Sequence, residues 1–130
     1  MRGVDTNVLV RFLVRDDFEE TRRAREFLTV KCTAESPGVV NHIVLCELVW
    51  VLDYSYDYSR EKILLALEGI IGAAQLTIPN RDDVRVALTE FQDGADFPDA
   101  LIAIVNLRLG CEHTVTFDRK AGRRAGFRAL

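Results

Sequence analysis

The spacing of apolar positions changes several times along the chain, and each change marks an element. Gly3-Val4-Asp5 reads as a short first strand, and Val8, Leu9, Phe12 and Leu13 then recur at helical spacing. Residues 18–30 are predicted to form a second helix with Ala24, Phe27 and Leu28 as its apolar stripe. Ser36-Pro37-Gly38 marks a turn and Val39-Val40 a short strand. Asn41 is placed to cap a strongly apolar helix from His42 to about Tyr54. Ser59 is placed to cap the next, with Ile63, Leu64, Leu67, Ile70 and Ile71 as apolar positions. Leu76-Thr77-Ile78 predicts a strand ended by Pro79, followed by a helix over about residues 82–91. A further helix begins at Asp96 or Phe97, runs to Leu109 and stops at Gly110. Thr114-Val115-Thr116-Phe117 predicts a strand, and a short helix and an edge strand at residues 127–130 finish the chain. Strands alternating with helices imply an α/β fold with a parallel sheet covered on both faces. Ligands of such folds gather at the carboxyl ends of strands, so acids placed there are candidates for chemistry.

Five acids occupy such positions or an equally unexpected one. Glu47 lies in Ile43-Val44-Leu45-Cys46-Glu47-Leu48-Val49-Trp50-Val51-Leu52, a run apolar on nearly every helical face, and is expected to be buried. A buried ionised carboxylate is costly unless it is paired or holds a cation. The plainer alternative is that Glu47 leaves along one wet face or pairs with an arginine. Asp5 ends the first strand and serves equally well as a helix cap. Asp96-Phe97-Pro98-Asp99 admits both readings, because an N-cap, a first-turn proline and an acid near the helix dipole account for it without chemistry. Asp118 follows a strand and is explained as a cap too. Several carboxylates meeting at one sheet edge raise each other's pKa, and a hard divalent cation relieves this. Oxygen-only ligation fits Mg²⁺ or Mn²⁺ better than Zn²⁺.

Composition narrows the picture further. A chain of 130 residues is expected to be a single domain, 1–130, with a core that needs no disulfide. No apolar run is long enough to cross a bilayer, and the start lacks the apolar stretch of a signal peptide, so a cytoplasmic protein without a membrane role is expected. Cys32, Cys46 and Cys111 form no C-x-x-C, and His42 and His113 form no H-E-x-x-H, which argues against zinc and thiol redox chemistry. A net charge of −3 supplies no general attraction for nucleic acid. Beyond Asp118, however, no acid occurs while Arg119, Lys120, Arg123, Arg124 and Arg128 do. That cluster suits phosphates or is a solvated basic tail.

Four segments taken together carry a resemblance. Val4-Asp5-Thr6-Asn7-Val8-Leu9-Val10, Leu45-Cys46-Glu47-Leu48-Val49-Trp50-Val51-Leu52, Gly94-Ala95-Asp96-Phe97-Pro98-Asp99-Ala100-Leu101-Ile102-Ala103 and Thr116-Phe117-Asp118-Arg119-Lys120 resemble the successive motifs of the PIN-domain family. Their order and spacing are similar to those of VapC-type toxins, over essentially the whole chain. The resemblance implies an α/β/α sandwich around a parallel sheet of about five strands. It implies an endoribonuclease that needs Mg²⁺ or Mn²⁺, acts as the toxin of a type II toxin–antitoxin pair, dimerises, and is held inactive by a VapB-type antitoxin. Asp5, Glu47, Asp99 and Asp118 match the four acids of the family, Thr6 the hydroxyl beside the first, and Asn7 its common neighbour; Pro98 replaces a small residue. On this reading Asp5 and Asp99 are direct metal ligands, and Glu47 binds a second ion or orients water. Asp118 acts through water or from further out, and Thr6 holds a carboxylate in position. Arg119, Lys120, Arg123 and Arg124 hold the RNA backbone. Phe12, Leu13, Phe27, Trp50, Leu52, Tyr54, Tyr56 and Tyr58 are the apolar residues expected to serve the partner surfaces.

Three readings compete. A phosphorylatable receiver domain also holds Mg²⁺ in an acidic pocket, but Asp16-Asp17 lies too far beyond the first strand and Glu47 has no counterpart there. A haloacid-dehalogenase-like phosphatase would need an acid where Asn7 stands. A PIN-like module that binds RNA or protein without cutting is the third.

Overall fold

The computed structural model describes residues 1–130 and divides into two compact units, Met1–Arg81 and Asp82–Leu130. In the first, β1 (Arg2–Gly3), β2 (Gly38–Val39) and β3 (Leu76–Thr77) form a parallel sheet in that order. The ladder extends past the strands. The Val4 amide donates to the Val39 carbonyl (2.8 Å) and the Val40 amide to the Thr77 carbonyl (3.0 Å). Parallel strands require crossovers, and here each is a helix pair. Helices α1 (Thr6–Val14) and α2 (Phe18–Glu26) lead from β1 to β2, and α3 (His42–Tyr54) and α4 (Arg60–Ile71) lead from β2 to β3.

Local chemistry sets the helix ends. Asn41 accepts from the Val44 amide (3.0 Å) and Ser59 from the Lys62 amide (3.2 Å), as their sequence positions predict. The helix expected over residues 18–30 stops being α-helical at Glu26 and ends in a single π-helical turn, Phe27–Lys31, after which Cys32 donates back to the Phe27 carbonyl (2.9 Å). This wider turn ends with Leu28 and Cys32 both buried. Arg81 sends its guanidinium to the carbonyls of Ile71 and Leu76, satisfying open acceptors at the end of α4 and on β3. Leu9, Val40, Leu45, Leu48, Leu52, Leu67 and Ile71 are the tightest part of this core.

The second unit holds α5 (Arg81–Gln92, whose first residue closes the first unit), α6 (Phe97–Arg108), β4 (Thr114–Thr116), a 3₁₀ turn (Ala121–Arg123) and β5 (Phe127–Ala129). Strands β4 and β5 pair in parallel. Asp96 caps α6, and the chain reverses at Gly110 with φ 97°, a left-handed conformation that suits glycine. Phe97 is fully buried and meets Phe91 edge to face, with ring centroids 6.3 Å apart. Every strand pair in the chain is parallel, and the five strands group as three and two. No helix is long and apolar enough to cross a membrane.

Glu47 is a correction to the sequence reading. It is exposed, and its neighbours on the same face of α3 are Ile43 (71% exposed), Trp50 (49%) and Tyr54 (84%). The opposite face buries Val44, Leu45, Leu48, Val49 and Leu52. The outward face of α3 is thus nearly as apolar as the inward one, so hydropathy could not distinguish them. Leu52, expected on a partner surface, belongs to the core.

Gly38 is the test of this packing. A Cβ built there would stand 2.9 Å from Val4 Cγ2, 3.0 Å from Cys32 Sγ and 3.1 Å from Leu76 Cδ2. Gly38→Ala is expected to cost about 1–3 kcal/mol by overpacking. Gly3→Ala, where nothing lies within 4 Å, should cost far less. Urea denaturation of both variants checks this, and equal midpoints would contradict it.

Candidate active site

Each unit carries candidate acids, Asp5 and Glu47 in the first and Asp96, Asp99 and Asp118 in the second. In the first, the chain leaves β1, buries Val4 and turns at Asp5 into α1. Asp5 is exposed, and its Oδ1 accepts from the adjacent Thr6 amide (2.8 Å) rather than from the second or third helical amide that a cap ordinarily reaches. Thr6 is the buried polar residue of the core, at 7% exposure. A hydroxyl buried there needs a partner, and Thr6 Oγ1 donates to Glu47 Oε1 (2.9 Å). That bond ties the carboxylate of α3 to the residue next to Asp5. The two helices involved both begin where a strand ends, α1 after β1 and α3 after β2.

In the second unit, Asp96 Oδ1 accepts from the Asp99 amide (2.9 Å) and so caps α6. Asp118 Oδ1 accepts from the amides of Lys120 (2.9 Å) and Ala121 (3.1 Å), opening the 3₁₀ turn. The capping roles allowed by the sequence are therefore real for Asp96 and Asp118. Asp99 is different. It is half-buried, and its pKa is raised, first by that burial and then by the charges of Asp96 and Asp118. Asp96, whose part the sequence left open, thus acts on Asp99 as well as on the helix. The spacing of three residues was the visible signal for it.

The basic residues after Asp118 lie at this end of the same unit. Arg119, Lys120 and Arg123 are exposed and Arg124 is half-buried. The ion pairs of the unit join Arg85 to Asp82 and Arg108 to Asp83, which leaves these four outside them. Arg124 reaches the turn before α6, since a Cβ at Gly94 would stand 3.0 Å from its Nη2.

Within neither unit do three His, Cys, Asp or Glu side chains stand so as to enclose an ion. The donor chemistry nonetheless fits a hard divalent cation. Asp99 is half-buried and pressed by two other carboxylates, an oxygen-only set that suits such an ion.

Parallel strands joined by helices fit the fold of a PIN domain. A PIN-domain family model matches residues 4–127, and the chain belongs to that family. Among individual proteins, a VapC ribonuclease of Aquifex aeolicus (strain VF5) is 24% identical over 131 residues, covering 100% of this chain and 96% of that protein. No solved structure matches the chain.

The raised pKa of Asp99 yields a stability test with a definite sign. The folded state holds this proton more tightly than the unfolded state. Ionising Asp99 therefore costs stability as pH rises from the ordinary Asp value, about 3.9, through the raised folded value. Asp99→Asn is expected to stabilise the metal-free protein at pH 7, with the gain fading below that window. Urea melts in EDTA at pH 7 and pH 3 measure it. An equal gain at both pH values would show that charge is not the source. Glu47→Gln, at an exposed site, should be close to neutral in the same melts.

Proposed function

We propose that this chain is a metal-dependent endoribonuclease acting as the toxin of a type II toxin–antitoxin pair. The observation that carries this reading is Asp99, half-buried and pressed by the charges of Asp96 and Asp118, in a chain of the PIN-domain family. The VapC ribonuclease relative supports the choice of RNA as substrate. The receiver and phosphatase readings belong to other families and fall away. Residues 1–130 act on this reading as one cytoplasmic domain.

Asp5, Asp99 and Glu47 are assigned as the metal-holding carboxylates, and Asp118 acts through a water. Bound Mg²⁺ or Mn²⁺ supplies a water of lowered pKa and neutralises charge on the scissile phosphate. Thr6 holds Glu47 in position through its hydroxyl. Arg119, Lys120, Arg123 and Arg124 hold the RNA backbone.

RNA cleavage should vanish in excess EDTA and return with Mg²⁺ or Mn²⁺; cleavage that persists unchanged in EDTA overturns the metal dependence. Asp5→Asn, Glu47→Gln and Asp99→Asn should each abolish cutting while remaining folded. Thr6→Val should lower it roughly 10- to 100-fold, as loss of a positioning hydrogen bond does. Wild-type protein that binds RNA but never cuts it under any metal would instead be a silent PIN-like module.

The partners proposed are a second copy of the chain and a VapB-type antitoxin with a basic side chain for the acids. Exposed Ile43, Trp50 and Tyr54 on α3 support an apolar contact surface. Sedimentation should report a dimer that Trp50→Ala combined with Tyr54→Ala weakens. A wild-type monomer at every workable concentration contradicts it. Failure of any chain encoded beside this one to inhibit cutting counts against the antitoxin.

A further inference from the structure

We infer that Phe117 is a stacking platform for an unpaired base of single-stranded RNA, beside the phosphate to be cut. The inference rests on the ribonuclease reading for its substrate, and it assigns a residue that grips that substrate. Phe117 is 83% exposed. A single exposed phenylalanine is unremarkable in itself, so the argument lies in what surrounds it.

The strongly exposed aromatic residues are Phe18, Trp50, Tyr54 and Phe117. Phe18 is flanked by Asp16, Asp17, Glu19 and Glu20, and Trp50 and Tyr54 share their helix with Glu47 and Asp53. Acids repel a polyanion. Phe18 is also followed by cations, Arg22, Arg23 and Arg25, but four acids stand within two residues of it and Arg22 is paired with Glu19 and Glu26. Phe117 has one acid beside it and then Arg119, Lys120, Arg123 and Arg124, none engaged in the ion pairs of its unit. It also directly precedes Asp118, whose charge bears on Asp99. An aromatic face, unpaired cations and the acidic group therefore follow one another along a single short segment.

The backbone on which the ring stands is pinned. The Asp118 amide donates to Thr116 Oγ1 (3.0 Å), Asp118 Oδ1 receives the amides of Lys120 and Ala121, and the Gly122 amide donates to the Asp118 carbonyl (2.8 Å). A bend held this way presents the ring at little entropic cost on binding. Flat aromatic faces accept bases only when those bases are unstacked, as in single strands and loops. Cations beside the ring track the phosphates of the same strand. Charge complementarity therefore selects single-stranded RNA as the occupant rather than a protein surface.

The test uses the full chain and short single-stranded RNAs carrying 2-aminopurine, with EDTA and separately with Ca²⁺. Stacking on Phe117 quenches the probe. Phe117→Ala and Phe117→Leu are expected to bind about tenfold more weakly and lose the quenching, while Phe117→Trp keeps both. The salt dependence of binding should be unchanged by these variants, and Lys120→Ala should lower its slope by about 1. Wild-type quenching and binding without cleavage in Mg²⁺ or Mn²⁺ would leave the stacking intact and remove the nuclease reading. Wild-type cleavage combined with Phe117→Leu binding, quenching and cutting as wild type does would remove the stacking alone. RNA that fails to bind in both conditions overturns the inference. So does a Phe117→Ala variant whose sedimentation changes while its RNA binding does not, since the ring would then serve a protein interface.

Discussion

A parallel sheet whose strands pair over two residues has few ladder bonds to hold its register, so the first unit depends on close packing at its middle strand. Gly38 lets Val4, Cys32 and Leu76 approach within contact distance, and Val40 beside it is completely buried. Strand β2 supplies the register for both neighbours, Arg2 opposite Gly38 on one side and Leu76 opposite Gly38 on the other. Because β1 and β2 are parallel, they end at the same edge. There the chain turns through Asp5 into α1 and through Asn41 into α3. A larger residue at position 38 would part those strands and move the starts of both helices, and with them Thr6 and Glu47.

The acids carry structural and electrostatic duties together. Asp96 caps α6 and Asp118 opens the 3₁₀ turn, and both charges also fall on Asp99. Asp99 stands in the first turn of α6, where the helix dipole favours a negative charge, yet burial and its two neighbours outweigh that help. The packing of Phe97 against Phe91 anchors the start of the same helix beside the cap. Stability given up at one carboxylate is the usual companion of a site shaped for chemistry.

Glu47 shows how an apolar helix face can be turned outward. Ile43, Trp50 and Tyr54 leave it on an exposed but poorly polar surface, and it accepts a hydrogen bond from the buried Thr6 hydroxyl. The carboxylate is thereby oriented without being desolvated. The surroundings of Glu47 fix its direction, whereas those of Asp99 raise its pKa through partial burial and charge.

The elements most legible in the sequence were those decided within a few residues. Asn41, Ser59 and Asp96 as caps and Gly110 as a stop need only local hydrogen bonds or one backbone conformation, and the chain folds as they predict. Membership of the PIN-domain family was equally readable, as was the parallel sense of the strands. The structure alone decided which face of α3 is buried, because that depends on what packs against it and both faces are apolar. It also decided the π turn at Phe27–Lys31 and the bond from Thr6 to a residue 41 positions away. The carboxylate pressed hardest by its surroundings was likewise a tertiary outcome. Asp99 and Asp118 come together only when a helix and a strand end are folded against each other, and Coulomb forces depend on distance in space rather than along the chain.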